Sequence, residues 1–220
     1  MRRFLRDNGL SLTLFGLFAV SIAGQAVFGW RALLRQLQQH AAPPLDFLTY
    51  LASGHFVSAV FENWESEFLQ MAVYVLLTVF LVQKGSSESK KPDGANNESE
   101  APEKHRYEDD APWPVHRGGL ALKFYSHSLS IALVALFLLS FGLHVAGSTR
   151  RMNEEASLHH QPTQSVIETL ADAEFWYESF QNWQSEFLSI GMLIVLGIYL
   201  RERGSPESKP VAAPHQATGH

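Results

Sequence analysis

Two long stretches of the chain contain no Lys, Arg, Asp or Glu, one from Asn8 to Trp30 and one from Phe124 to Thr149. Each exceeds the roughly 20 apolar residues that a helix needs to cross the hydrocarbon core of a bilayer. A shorter apolar run follows each of them. The run from Phe187 to Leu200 has 14 charge-free residues, which as a helix reach about 21 Å against roughly 30 Å of hydrocarbon. The pattern therefore predicts that this helix starts earlier, at Gln181 or Asn182. Between the two halves, Ser86 to Arg117 is mostly Ser, Glu, Lys, Pro, Asn and Asp, with too few apolar side chains to offset the entropy of ordering it.

The halves are copies. Shifting the sequence by 119 residues lays Phe61–Lys90 over Phe180–Lys209 without a gap, and 14 of the 30 positions are identical. The same shift matches Leu10, Ser11, Leu14, Leu17, Phe18 and Ser21 within LSLTLFGLFAVS to LSIALVALFLLS at 129–140. Such a repeat is settled before the rest of the chain is read. Each copy holds a long apolar segment, a loop and a second apolar segment, which is a transmembrane hairpin. The expected fold is an all-α membrane protein with four transmembrane helices, arranged as two tandem, parallel-repeat helical hairpins with short outer interfacial helices. Two crossings per copy make both copies start on the same side, so the repeats are parallel. The first hairpin spans 1–85, a disordered cytoplasmic linker 86–117, the second hairpin 118–204 and a disordered cytoplasmic tail 205–220. Positions 10, 14, 17, 18 and 21 lie on one helix face, and this stripe is expected to pack against protein.

Charge sets the orientation. The N-terminus, the stretch from Lys84 to Lys123 and the tail after Tyr199 hold 13 of the 17 Lys and Arg residues, while the inter-span loops hold only Arg31, Arg35, Arg150 and Arg151. By the positive-inside rule both termini and the linker are cytoplasmic, in a multi-pass protein of the bacterial inner (plasma) membrane. A cleaved signal peptide is the competing reading of the first span, given Arg2, Arg3 and the SIA before Gly24. The apolar run is longer than an ordinary signal core, and its counterpart at 129–149 is internal.

The second spans open on a repeated FxNWxSEFL. In one reading Asn63 and Asn182 cap helices, Glu67 and Glu186 complement the positive ends of helix dipoles, and Trp64 and Trp183 form an interface belt. In the other, Asn and Glu at i, i+4 share a face, and the two copies bring a Glu67/Glu186 pair together with Asn63 and Asn182 as neutral ligands for a cation or shared proton. No polar track continues inward in both copies, since Tyr74 is matched by Leu193 and Gln70 by Ser189. Gln25 with His144, four residues after Ser21 and Ser140, forms a further intramembrane polar set, expected to make interhelical hydrogen bonds. In the outer loops Asp46 and Ser165 are predicted N-caps, and Ser165 with Glu168 a capping box. The Gly that opens GSSESK and GSPESK is predicted to end each span, with solvated chain beyond it.

Composition removes several classes of function. The chain has no Cys, so disulfides, thiol catalysis and thiolate metal sites are excluded, and its net charge of −5 argues against a nucleic-acid partner. The ten histidines show no metal-ligand spacing, so no metal and no cofactor is expected. No phosphate loop, nucleophile elbow, HExxH or dinucleotide fingerprint is present, and no enzyme is expected. The partners are the lipid bilayer and either a second copy of the chain or another membrane protein. FxNWxSEFL, GSxESKP (GSSESKKP in the first copy) and the doubled hairpin resemble a group of uncharacterised bacterial integral membrane proteins classed as a domain of unknown function. That resemblance implies a bacterial membrane protein and transfers no activity. The sequence favours a non-enzymatic scaffold or interaction protein over its alternative, a small cation- or proton-coupled transporter using Glu67 and Glu186.

Overall fold

A computed structural model describes residues 2–92 and 100–219. Among these the chain is helical and without strands. In order come α1 (Arg2–Asp7), α2 (Gly9–Gln39), α3 (Phe47–Leu51), α4 (Gly54–Phe80), a 3-10 turn (Pro102–His105), α5 (Trp113–Arg117), α6 (Gly119–Ser126), α7 (Ser128–Leu158), α8 (Val166–Ala171) and α9 (Ala173–Tyr199). The bounds of α7 are those of α2 displaced by 119 residues, and those of α9 repeat α4 in the same way. Two helices, α2 and α7, are long and apolar enough to cross a membrane. Their apolar windows are left largely uncovered by the rest of the chain, with Leu10, Phe15, Val20 and Phe28 all more than two thirds exposed.

The stripe expected to pack against protein is open in α2, where Leu10, Leu14, Leu17, Phe18 and Ser21 are all exposed. In α7 only Leu133 and Ser140 of the matching positions are buried. Lipid solvates an apolar side chain as well as a neighbouring helix does, so shared apolar positions need not mark a helix contact.

The chain divides into two compact units, one of residues 1–61 with 142–175, the other of 62–141 with 176–220. The first unit is held by small residues and caps. Ser58 and Ser148 hydrogen-bond across 2.8 Å, both buried, and a Cβ on Gly147 would lie 2.6 Å from the backbone nitrogen of Ser58. Gly54 meets the backbone of Arg151 more tightly still, and its N–H donates to the Glu154 carboxylate. Both predicted caps are present. Asp46 accepts from the N–H groups of Leu48 and Thr49 at 3.1 Å, and Ser165 and Glu168 form the reciprocal capping box. The Thr49 hydroxyl, followed by its N–H, holds the Asp46 carboxyl below the usual range. Trp30 donates to the carbonyl of Leu45 at 2.8 Å and meets Phe47 edge-on, tying α2 to α3.

The second unit contains the repeated GSxESK motif, and the motif folds. In the first copy Ser86 Oγ accepts from Glu88 N–H at 3.1 Å and Ser89 Oγ from Gln83 N–H at 2.8 Å. In the second, Ser205 accepts from Glu207 N–H at 3.1 Å and Ser208 from Glu202 N–H at 2.9 Å. Gly85 and Gly204 take φ of 89° and 88°, a left-handed backbone that favours glycine. The solvated chain expected beyond these glycines is therefore corrected, because Ser86, Ser87 and Lys209 are buried. The short polar side chains satisfy backbone groups locally, and the tail lies against the first turn: Thr218 Oγ1 accepts from Gly85 N–H at 2.6 Å, and Gly219 N–H donates to Ser86 carbonyl at 3.1 Å. Positions 93–99 of the expected linker lie outside the described residues. Its remainder includes the 3-10 turn and α5.

Candidate functional site

Both copies of FxNWxSEFL lie within helices. Since α4 begins at Gly54 and α9 at Ala173, Asn63 and Asn182 sit more than two turns inside, and their predicted role as caps is corrected. So is the predicted start of the last span at Gln181 or Asn182. The segments 55–80 and 174–190 contain neither Pro nor Gly, so nothing interrupts the backbone ladder there.

Within the second unit, α4 and α9 meet along a polar seam. The Asn182 amide donates to the Glu62 carboxylate and also to its own helix at the Glu178 carbonyl, 3.2 Å away. One turn inward, Trp183 Nε1 donates to Glu65 Oε1 at 3.3 Å. Farther along, Gln70 Nε2 donates to the Glu186 carbonyl at 3.3 Å. Glu65 has no solvent exposure, and Ser66 beside it is 2% exposed. Ser179, on the α9 face that carries Asn182, is fully buried, and its hydroxyl has no hydrogen-bond partner among the described residues.

The seam is acidic in sequence. Residues 62–82 and 176–200 carry Glu62, Glu65, Glu67, Glu178 and Glu186 and no Lys, Arg or His. Measured back from Phe80 along α4, Glu62 lies about 27 Å and Gln70 about 15 Å from the end of the helix at 1.5 Å per residue.

The structure separates the copies at the residues singled out by the repeat. Asn63 and Glu67 are exposed, whereas Asn182 and Glu186 are half-buried. Trp64 is half-buried. Trp183 stands in an aromatic cluster with Phe180 at 5.2 Å and Trp176 at 6.3 Å. Ser21 is exposed and Ser140 buried. Gln25 is half-buried and makes no side-chain hydrogen bond among the described residues, contrary to the expected interhelical bond. His144 is fully buried, its ring 4.8 Å from that of Phe175.

Glu62, Glu65 and Gln70 were not among the residues predicted for the site. Comparing the copies hides them, because Gln181, Gln184 and Ser189 occupy the matching positions. The signal that exposes them is the run of carboxylates on two apolar stretches, 62–82 and 176–200, that carry no Lys, Arg or His.

A protein family described as Domain of unknown function (DUF6766) matches residues 1–220. The chain belongs to that family. Neither the curated proteins nor the solved structures gave a match. The family description assigns no activity, so function is argued from the acidic seam.

Proposed function

We propose that this member of the DUF6766 family is an integral membrane protein that binds a cation or proton in the acidic seam, as a small cation- or proton-coupled transporter does. In this reading α2, α4, α7 and α9 are four spans, paired as two parallel hairpins of a bacterial inner-membrane protein with both ends in the cytoplasm. The recurrence of element bounds at 119 residues supports the pairing, and the distribution of Lys and Arg supports the orientation.

The observation that carries the proposal is Glu65, a carboxylate with no solvent exposure on an apolar helix. A buried carboxylate is costly unless a proton or positive charge neutralises it, and in a membrane such groups mark ion and proton paths. Its own helix and α9 place five carboxylates along the seam. Asn182 and Trp183 supply neutral donors that orient the Glu62 and Glu65 carboxylates, and Gln70 grips the Glu186 backbone carbonyl.

The test is thermal unfolding of the purified protein in detergent, with Na⁺, K⁺ or Mg²⁺ at pH 5 to 8, beside flux in proteoliposomes. Wild type is expected to show a shift in Tm linked to cation or pH. The variants Glu65→Gln and Glu67→Gln/Glu186→Gln are expected to lose that shift and the flux while remaining folded. If wild type is indifferent to cations and pH, the seam is only structural.

That outcome leaves the second reading, a non-enzymatic scaffold. Its support is the open apolar stripe of α2, Leu10, Leu14, Leu17 and Phe18, which another membrane protein or a second copy could cover.

A further inference from the structure

A cavity of about 500 Å³ opens among the 3-10 turn, α5 and α6, just before the apolar run of α7, and its lining includes Arg106, Lys123, Ser126, His127 and Glu103. Arg106 is held in place by the backbone it grips. Its Nε donates to the His116 carbonyl at 2.9 Å and its Nη2 to the Arg117 carbonyl at 3.3 Å, while His116 Nδ1 returns a 2.7 Å contact to the Arg106 carbonyl. These bonds use one edge of the guanidinium and leave Nη1 without a partner among the described residues. The Lys123 ammonium and the His127 ring likewise have no partner there. Gly118 lies beneath the guanidinium with φ of 68°, and a Cβ at this point would stand 3.6 Å from Nη1.

We propose that this cavity binds a net-anionic phosphate group at the cytoplasmic membrane surface, with Arg106 and Lys123 as its two fixed charges and the His127 ring and the Ser126 hydroxyl beside them. One carboxylate, Glu103, opposes two permanent cations, so the balance favours an anion. A guanidinium fixed through two of its nitrogens presents the third with little entropy left to lose, which is why Arg suits phosphate oxygens. The position selects a phosphate at a bilayer surface. Lys123 directly precedes the charge-free run from Phe124, so on the four-span reading the cavity lies level with the headgroups, where basic side chains attract anionic lipid. Trp113, 62% exposed with the Arg117 guanidinium 5.1 Å over its ring, is the kind of amphipathic pair that settles at that depth.

The phosphate could belong to a lipid or be free in solution, and three probes separate these sources. Full-length protein in a zwitterionic detergent is titrated with dihexanoyl phosphatidylglycerol, dihexanoyl phosphatidylcholine or inorganic phosphate while Tm is followed. A rise in Tm with phosphatidylglycerol alone supports the site and assigns it to a lipid headgroup. A rise with inorganic phosphate as well supports the site and assigns it to the free anion. Lys123→Gln and Arg106→Gln are each expected to weaken the response about fivefold, the worth of one basic side chain near an anionic surface, and Lys123→Arg should retain it. Lys123 bonds nothing else among the described residues, so its substitution tests binding without endangering the fold. Equal responses to phosphatidylglycerol and phosphatidylcholine, no response to any probe, or an undiminished response in Lys123→Gln would overturn the proposal.

Discussion

Trp183 donates its indole N–H to Glu65 across 3.3 Å, and the carboxylate it meets has no solvent exposure. The bond joins a residue repeated in both copies to one that is not, since Gln184 stands where the second copy would repeat Glu65. Replacing Trp183 with Phe keeps an aromatic ring among Trp176 and Phe180 while removing the N–H donor and part of the indole's packing area. Leaving a buried acceptor with one partner fewer costs about 1–3 kcal/mol, so Trp183→Phe should lower stability by that order in denaturant unfolding. Trp64→Phe, for comparison, should have less effect on cation or proton linkage, because the Glu65 bond belongs to Trp183.

Two glycines of α7 should respond unequally. Gly147 faces the backbone of Ser58, which cannot turn aside as a flexible side chain can. Overpacking of this kind costs about 1–3 kcal/mol, so Gly147→Ala should lower Tm. Gly142→Ala has nothing within 4 Å of the added carbon and gains helix propensity, so it should be neutral or stabilising. Equal effects at the two sites would contradict the close approach at Gly147.

Asp46 gives a pH dependence of known sign. Hydrogen bonds from Thr49, and then from Leu48, lower the pKa of its carboxyl from 3.8 in the folded chain. The stabilisation is fully present above that unfolded value and is lost as pH falls through the lower folded one. Asp46→Asn should therefore reduce the slope of Tm against pH below about pH 4 and leave the slope at pH 6 to 8 unchanged. Unfolding scans at closely spaced pH values check this.

Lys209 anchors the tail. Its ammonium donates to the carbonyls of His215 at 2.7 Å and Ala217 at 3.2 Å, and the side chain is buried. Lys209→Met removes both bonds and should make the tail more susceptible to limited proteolysis, with faster cleavage after residue 205. Its repeat counterpart Lys90 is half-buried and donates to the Val79 carbonyl at 3.2 Å, so Lys90→Met should leave tail cleavage near the wild-type rate.

The distribution of Lys and Arg predicts a topology that can be checked. Reporters fused at Gly94 and Gly219 are expected to report the cytoplasm, and insertions near Ala42 and Gln161 the opposite side. A clear reversal at any of the four sites would remove the four-span arrangement.

The sequence by itself determined the two long apolar helices α2 and α7 and the loop caps, because these depend on local apolar length and short-range hydrogen bonds. Asp46, Ser165 and Glu168 act where their types predict, since a cap is completed within three residues. Only the tertiary structure decided which carboxylates are buried. Glu65 and Glu67 lie two residues apart and so about 160° apart around α4. Which of them leaves solvent depends on the helix face that meets α9, and a repeated motif cannot encode that when its two copies pack differently. The same reason separates Asn182, bonded to Glu62, from the exposed Asn63, and buries Lys209 in a tail that composition alone would leave in water.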